Sequence, residues 1–244
     1  NIDSSISIAS LRAGTEKTCI PTLVFPSKEL YAKNLYHPLI KDCVKNDLSI
    51  KNKSILITGS NMSGKSTFLR TLAINSILAQ TIYTCFADEF TSPILKQFSS
   101  IRIDDNLFDG KSYYFQEVNI MASLLDQIEY PHQSLFILDE VFRGTNTVER
   151  IASAKAILSY LNRKENIVVV STHDIELVDM LDNEYDLYHF TETVENNELH
   201  FDHCIKPGQL RTRNAIKILE LSNYPDDVIK EARQIVTTLR PSNT

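Results

Sequence analysis

Glycine is scarce: six in 244 residues, at positions 14, 59, 64, 110, 144 and 208. A chain so poor in glycine has placed it where backbone must turn tightly or approach a ligand. Paired cysteines are missing. Cys19, Cys43, Cys85 and Cys204 lie far apart with no CxxC, so reduced thiols in a cytoplasmic protein are the simplest reading. No signal peptide and no apolar run of spanning length is present. The nearest stretch, Leu72 to Ala87, is interrupted by Asn75, Gln80 and Thr84 and reads as a buried helix running into a strand. No membrane contact is therefore expected from this stretch of chain. An excess of basic charge is lacking too: 25 Lys and Arg face 31 Asp and Glu, a net charge of −6. A free-standing nucleic-acid binder carries a basic patch, so any DNA contact is expected to rest on domains outside this chain. Internal repeats and low-complexity segments are also absent.

What is there suits one large α/β domain, with 43% hydrophobic and 23% charged residues. The chain opens on Asn1, not Met, and is expected to be a piece of a longer protein. Residues 1–27 hold Pro21 and Pro26, show no clear period and read as the tail of a preceding domain. Leu30 to Ile50 reads as short strands with a turn near Lys45-Asn46-Asp47. From Ser54 strands and helices alternate. Strands are predicted at Ile55–Thr58, Phe98–Ile103, Leu135–Leu138 and Ile167–Ser171, as short apolar runs buried on both faces. Helices are predicted over Gly64–Ala79, Tyr113–Ile128 and Val148–Leu161. In the second, Tyr114, Val118, Met121, Leu125 and Ile128 recur at helical spacing and form a core stripe. Tyr185–Thr191 and Glu198–Cys204 read as a hairpin around Asn196-Asn197. Helices over Thr212–Leu221 and Pro225–Leu239 close the chain. The domain is thus expected over 28–211, with a helical dimerisation segment over 212–244.

Gly59 to Thr67 reads GSNMSGKST and fits G-x-x-x-x-G-K-[ST] between a predicted strand and a predicted helix. Gly59, Ser60, Asn61, Met62, Ser63 and Gly64 would supply successive backbone N–H groups around an anion at a helix N-terminus, with Thr67 in the helix's first turn. Lys65 adds a positive charge at the β- and γ-phosphates, and the Ser66 hydroxyl suits Mg²⁺. The competing explanation is a chance Gly-Lys-Ser turn. LFILDE, Leu135 to Glu140, is an apolar strand ending in two carboxylates. Asp139 would reach the metal through water, beside the phosphate loop, and Glu140 would orient or deprotonate the attacking water. STHD, Ser171 to Asp174, follows another apolar strand and puts His173 at the same edge, as a γ-phosphate sensor or as a structural capping histidine. His200, Asp202 and Cys204 alternate on one strand face, a pattern more often solvated than metal-binding.

Together these residues resemble the ATPase domain of the MutS family of DNA mismatch repair proteins. Asn61-Met62 within the phosphate loop, DEVFRGTNT (Asp139 to Thr147), DDNLFDGKSYYFQEV (Asp104 to Val118) and STHD are each similar to a family segment, in family order. The TNTVER wording is closer to divergent bacterial MutS-like proteins. The resemblance implies a P-loop NTPase of the ABC/MutS type, with a doubly wound sheet and a C-terminal helical appendage. It implies ATP and Mg²⁺ as cofactors and a homodimer through the ATPase face. It further implies that Ser112 reaches the partner's γ-phosphate and that Gly110 and Lys111 bring it close. His203 matches a position whose ring stacks on adenine, although it could equally be a strand histidine. The family's second adenine-stacking aromatic is missing, with Cys43 or Val44 in its place. Phe115-Gln116-Glu117 spells a mismatch-reader pattern but falls inside a predicted helix, as coincidence. The rival to a mismatch repair ATPase is a nucleotide-gated dimerisation module of a MutS-like protein acting elsewhere.

Overall fold

The computed structural model describes residues 2–15, 17–101, 113–129, 131–142, 145–195, 198–210, 215–222 and 224–239. In chain order the first elements are α1 (Ile2–Ala13), β1 (Thr22–Val24), β2 (Leu30–Leu35), β3 (Asn46–Ile50), β4 (Ser54–Thr58), α2 (Lys65–Thr81), β5 (Glu89–Pro93) and β6 (Lys96–Ser100). Then come α3 (Tyr113–Asp126), which runs into a 3-10 turn over Gln127–Glu129, β7 (Ser134–Asp139), α4 (Thr147–Leu161), β8 (Ile167–Ser171), α5 (Ile175–Leu181) and β9 (Tyr185–His189). The last are β10 (Glu192–Glu195), β11 (Glu198–Phe201), β12 (Lys206–Pro207), α6 (Ala215–Leu221) and α7 (Asp226–Leu239).

The fold is mixed α/β. Its main sheet has the order β12-β9-β4-β8-β7-β6, parallel except for β12. Every residue of β4, β7 and β8 is buried. Alternate side chains explain why. Ile55, Ile57, Leu135, Ile137, Ile167 and Val169 share a core with Phe68, Leu69 and Leu72 of α2. Leu56, Phe136, Leu138, Val168 and Val170 share another with Met121 of α3, Leu158 of α4 and Val178 of α5. Helices thus cover both faces, and continuous apolar strands are the consequence. The predicted stripe of α3 packs into this second core through Tyr114, Val118, Met121, Leu125 and Ile128. A second sheet, β1-β5-β2-β3, joins the first core through Leu30, Ala32, Leu48 and Phe90.

Several expectations need correction. The strand predicted over Phe98–Ile103 runs over Lys96–Ser100, and Ile103 lies outside the described residues. Asn46 and Asp47 lie within β3, and the chain turns over 38–42. Asn46 is polar because it ties β3 to the segment after β11: Nδ2 donates to His203 O (3.1 Å), and Oδ1 accepts from Ile205 N (2.7 Å). Tyr185–His189 is not a hairpin arm. It pairs in parallel with β4, because Tyr185 is fully buried and donates its hydroxyl to Leu158 O at 2.9 Å. The hairpin is β10 with β11, around Asn196-Asn197, which lie outside the described residues. The closing helices are described over Ala215–Leu221 and Asp226–Leu239, and Thr212 lies outside the described residues.

At the N-terminal end, α1 is a helix without a period because it buries no residue. Arg12 docks it instead, donating to Thr84 Oγ1 (2.8 Å), Ile82 O (3.1 Å) and Tyr83 O (2.9 Å), at the C-terminal end of α2. Thr22–Val24 pairs with Thr91–Pro93, so the second sheet takes in chain from ahead of residue 28. Among the described residues no helix is long and apolar enough to cross a membrane.

Candidate active site

Two glycines shape the loop between β4 and α2. Gly59 has φ 151°, and a Cβ there would meet Phe190 O and Ser63 Oγ at 2.9 Å. Gly64 has φ 113°, and a Cβ there would meet His203 Nδ1 at 3.2 Å. Both positions combine a left-handed backbone with close packing, which only glycine meets without strain. Gly64 is also the N-cap of α2 and offers no side-chain acceptor, and the first turn holds no acid. The first N–H groups of a helix have no partner within the helix and suit an anion.

Lys65 is 5% exposed, and its ammonium donates to Gly59 O (2.7 Å) and Ser60 O (2.9 Å). The next residue links the loop to the sheet: Ser66 Oγ donates to Asp139 Oδ2 at 2.6 Å. Asp139 does not neighbour β4, because β8 runs between β4 and β7. The intervening strand completes the contact. Asp139 and Ser171 are register partners, and Ser171 Oγ donates to Asp139 Oδ1 at 2.5 Å. Asp139 is thereby held by a hydroxyl on each side and is 4% exposed.

Glu140 has φ 60°, a conformation costly for a residue with a Cβ. Its N–H donates to Ser171 O at 3.1 Å, which holds the backbone there. The turn sends Oε1 to His173 Nδ1, 3.0 Å away. That hydrogen bond raises the His173 pKa above its ordinary 6.5, against burial. The charges of Glu140 and Asp174 add to the rise and Lys65 opposes it. Below His173, Arg150 grips Asp174 through Nε–Oδ2 (3.1 Å) and Nη2–Oδ1 (2.6 Å), which fixes the turn into α5.

A cavity of about 610 Å³ runs along the loop. Ser60, Asn61, Met62, Lys65, Ser66, Thr67 and Glu140 line it, as do Leu35, Ile40, Cys43, Val44 and His203. Asn61 and Met62 are exposed at its rim, and Ser63 is buried beneath. His203 Nδ1 lies 3.0 Å from Ser63 O, and its ring stacks on Phe201. It belongs to the loop's own wall, lines the same cavity as Cys43 and Val44, and lies outside any strand.

The family model for MutS domain V matches residues 55–240. The chain belongs to the MutS family. DNA mismatch repair protein MutS of Lactobacillus delbrueckii subsp. bulgaricus is 35% identical over 91% of this chain and 27% of its own length. MutS of Halothermothrix orenii is 33% identical over 83% of this chain and 24% of its own. MutS of Pseudothermotoga lettingae is 31% identical over 97% and 30%. The chain therefore spans about a quarter of the length of the curated relatives it matches.

Among the residues that the sequence singled out, the structure gathers Gly59 to Thr67, Asp139, Glu140, His173 and His203 around one sheet edge. Ser112, with Gly110 and Lys111, lies outside the described residues. The sequence did not single out Ser171 as the second holder of Asp139. Nor did it single out Glu192, which is 7% exposed and accepts from Ser60 Oγ at 2.7 Å. Register alone brings Ser171 to Asp139, and no spacing rule carries that signal. Phe115 to Glu117 lie within α3, as expected. Asp202 pairs with Lys206 and accepts from Cys204 N at 3.0 Å.

The His173–Glu140 contact has a measurable pH signature. Because the folded pKa of His173 is raised, the pair's contribution is complete below the ordinary histidine value and is lost as pH rises through the folded pKa. In an NMR titration the His173 ring is expected to titrate above 6.5. Glu140→Gln is expected to bring it back down. A midpoint indifferent to that substitution would break the proposed pairing.

Proposed function

We propose that this chain binds Mg-ATP in the cavity along Gly59–Thr67 and hydrolyses it, as a doubly wound P-loop ATPase of the ABC/MutS type. In its parent protein it would form a homodimer through the ATPase face and drive a DNA mismatch repair clamp, with DNA held by domains outside this chain. The observation that carries this is the convergence of Lys65, the Ser66–Asp139 contact and the Glu140–His173 contact on one edge of one sheet. The names of its relatives, DNA mismatch repair proteins, support the cellular role.

The residues fit the group they would hold. Lys65 and the uncapped first turn of α2 suit a polyphosphate. Ser66 and Asp139 present hard oxygen donors side by side, as magnesium prefers. Bound there, the ion would supply charge neutralisation to the phosphates. Lys65 would turn its ammonium from loop carbonyls to phosphate oxygens. Glu140 would orient the attacking water and take its proton, and His173 would hold that carboxylate until the γ-phosphate is present. His203 would meet the base, with Cys43 and Val44 as the opposite wall in place of an aromatic. One observation favours a second reading. The Glu140 carboxylate is already engaged by His173, which suits a nucleotide-gated dimerisation module with little turnover. Single-turnover hydrolysis by the intact parent protein separates the two.

The shared site has its own test. A Lys65→Ala chain lacks a working loop, and a Ser112→Ala chain lacks the cross-contact. If Ser112 acts in trans, a mixed dimer has one site with both defects and one with neither. Random pairing then restores up to about a quarter of wild-type hydrolysis in a two-fold symmetric dimer. Heterodimers demonstrated by sedimentation, with no recovered hydrolysis, would count against the shared site.

A further inference from the structure

The segment after α1 meets the far end of the phosphate-loop helix at a pair of cysteines. Cys19 and Cys85 form an isolated antiparallel bridge in which each N–H donates to the other's carbonyl at 2.9 Å. Residues that exchange both bonds have Cα atoms about 5.5 Å apart and side chains on the same face. That separation lies within the range of about 4.4–6.8 Å that a disulfide spans. Both thiols are free, and the Cys85 thiol donates to Asn75 O at 3.6 Å. Cys85 is fully buried, while Cys19 is half-buried and reachable. The bridge lies outside the named strands, so the backbone can twist without breaking a ladder.

We infer that Cys19 and Cys85 are a thiol–disulfide site, oxidised by low-molecular-weight disulfides, that fastens the N-terminal arm to the end of α2. Cys19 attacks first. The neighbouring Cys85 thiol lowers the pKa of Cys19, while Cys19 and burial raise that of Cys85. The Cys19 thiolate displaces one half of the small disulfide as a thiolate and forms a mixed disulfide. Cys85 then gives up its proton and attacks the Cys19 sulfur, releasing the other half. Two protein thiols are oxidised and one small disulfide is reduced to two thiols. The product adds a covalent tie beside the Arg12 clamp on Ile82, Tyr83 and Thr84.

The experiment exposes the purified chain to glutathione disulfide and maps thiols in a non-reduced digest by mass spectrometry. The expected product is a Cys19–Cys85 linked peptide that has lost two hydrogens and separates with dithiothreitol. Cys85→Ala should trap glutathione on Cys19, and Cys19→Ala should leave Cys85 unmodified. On oxidation, hydrogen exchange at the Cys19 amide is expected to slow by at least about tenfold. Thiols that stay reduced, a glutathione adduct that persists on Cys19 in the unsubstituted chain, or an adduct on Cys85 in Cys19→Ala would each overturn the site. Unchanged exchange after linkage would overturn the fastening. Because the decisive measurement is made on the unsubstituted chain, a variant that misfolds does not decide it.

Discussion

Glu140→Gln is expected to slow ATP hydrolysis about 10²–10⁴-fold, the usual worth of a positioned general base. ATP affinity should stay within about threefold, since the substitution keeps shape and removes only a proton acceptor. Two features of the site make this residue the sensitive one. Its left-handed backbone, φ 60°, is held by the bond from its N–H to Ser171 O, so the side chain is aimed by structure and not by chance. Its carboxylate already has a partner in His173, so it can be held and released. The measurement is single-turnover phosphate release beside equilibrium binding of a fluorescent ATP analogue. Near-normal turnover in Glu140→Gln would move the base elsewhere, with His173 as the next candidate.

The second large effect is expected at Lys65. Truncating one partner of a buried charge contact costs about 2–5 kcal/mol, so Lys65→Ala should weaken ATP binding by at least about thirtyfold. The structure adds a consequence that a lysine merely perched on a preformed loop would not have. The ammonium is buried and ties the loop to itself through Gly59 O and Ser60 O. Removing it takes the donor from the buried Gly59 O, while Ser60 O keeps the Ser63 hydroxyl at 2.8 Å, with a stability loss of about 1–3 kcal/mol. Thermal unfolding without nucleotide should therefore show a lower midpoint in Lys65→Ala while the circular dichroism spectrum is kept. Unchanged ATP affinity would remove the phosphate loop from the proposed site.

Much of the fold was legible because its causes are local. Ile55–Thr58, Leu135–Leu138 and Ile167–Ser171 read as strands since a strand buried on both faces must be apolar throughout, and helices cover both faces. The helix after Gly64 was legible because a glycine turn and a long run of helix-compatible residues lie next to each other. Other elements were not. Tyr185–His189 looked like a hairpin arm because strand pattern carries no partner. Its place beside β4 is decided by a buried tyrosine that reaches Leu158 O. In α1 there was no period to read because no face is buried, and an arginine fork docks it.

The same division runs through the site. The order of residues by itself determined that Gly59 to Thr67 would form a concave turn at a helix N-terminus. It also determined that Asp139, Glu140 and His173 would stand at strand ends, because spacing and apolar runs act over a few residues. Only the tertiary structure decided that β8 runs between β4 and β7. That placement sets Ser171 opposite Asp139, and it lets the Asp139 carboxylate take one hydroxyl from β8 and another from α2. It also decided that His203 and Cys43, 160 positions apart along the chain, line one cavity. Strand order and register depend on how whole faces pack, and a pair of hydroxyls around a carboxylate leaves no trace in the spacing of any one segment.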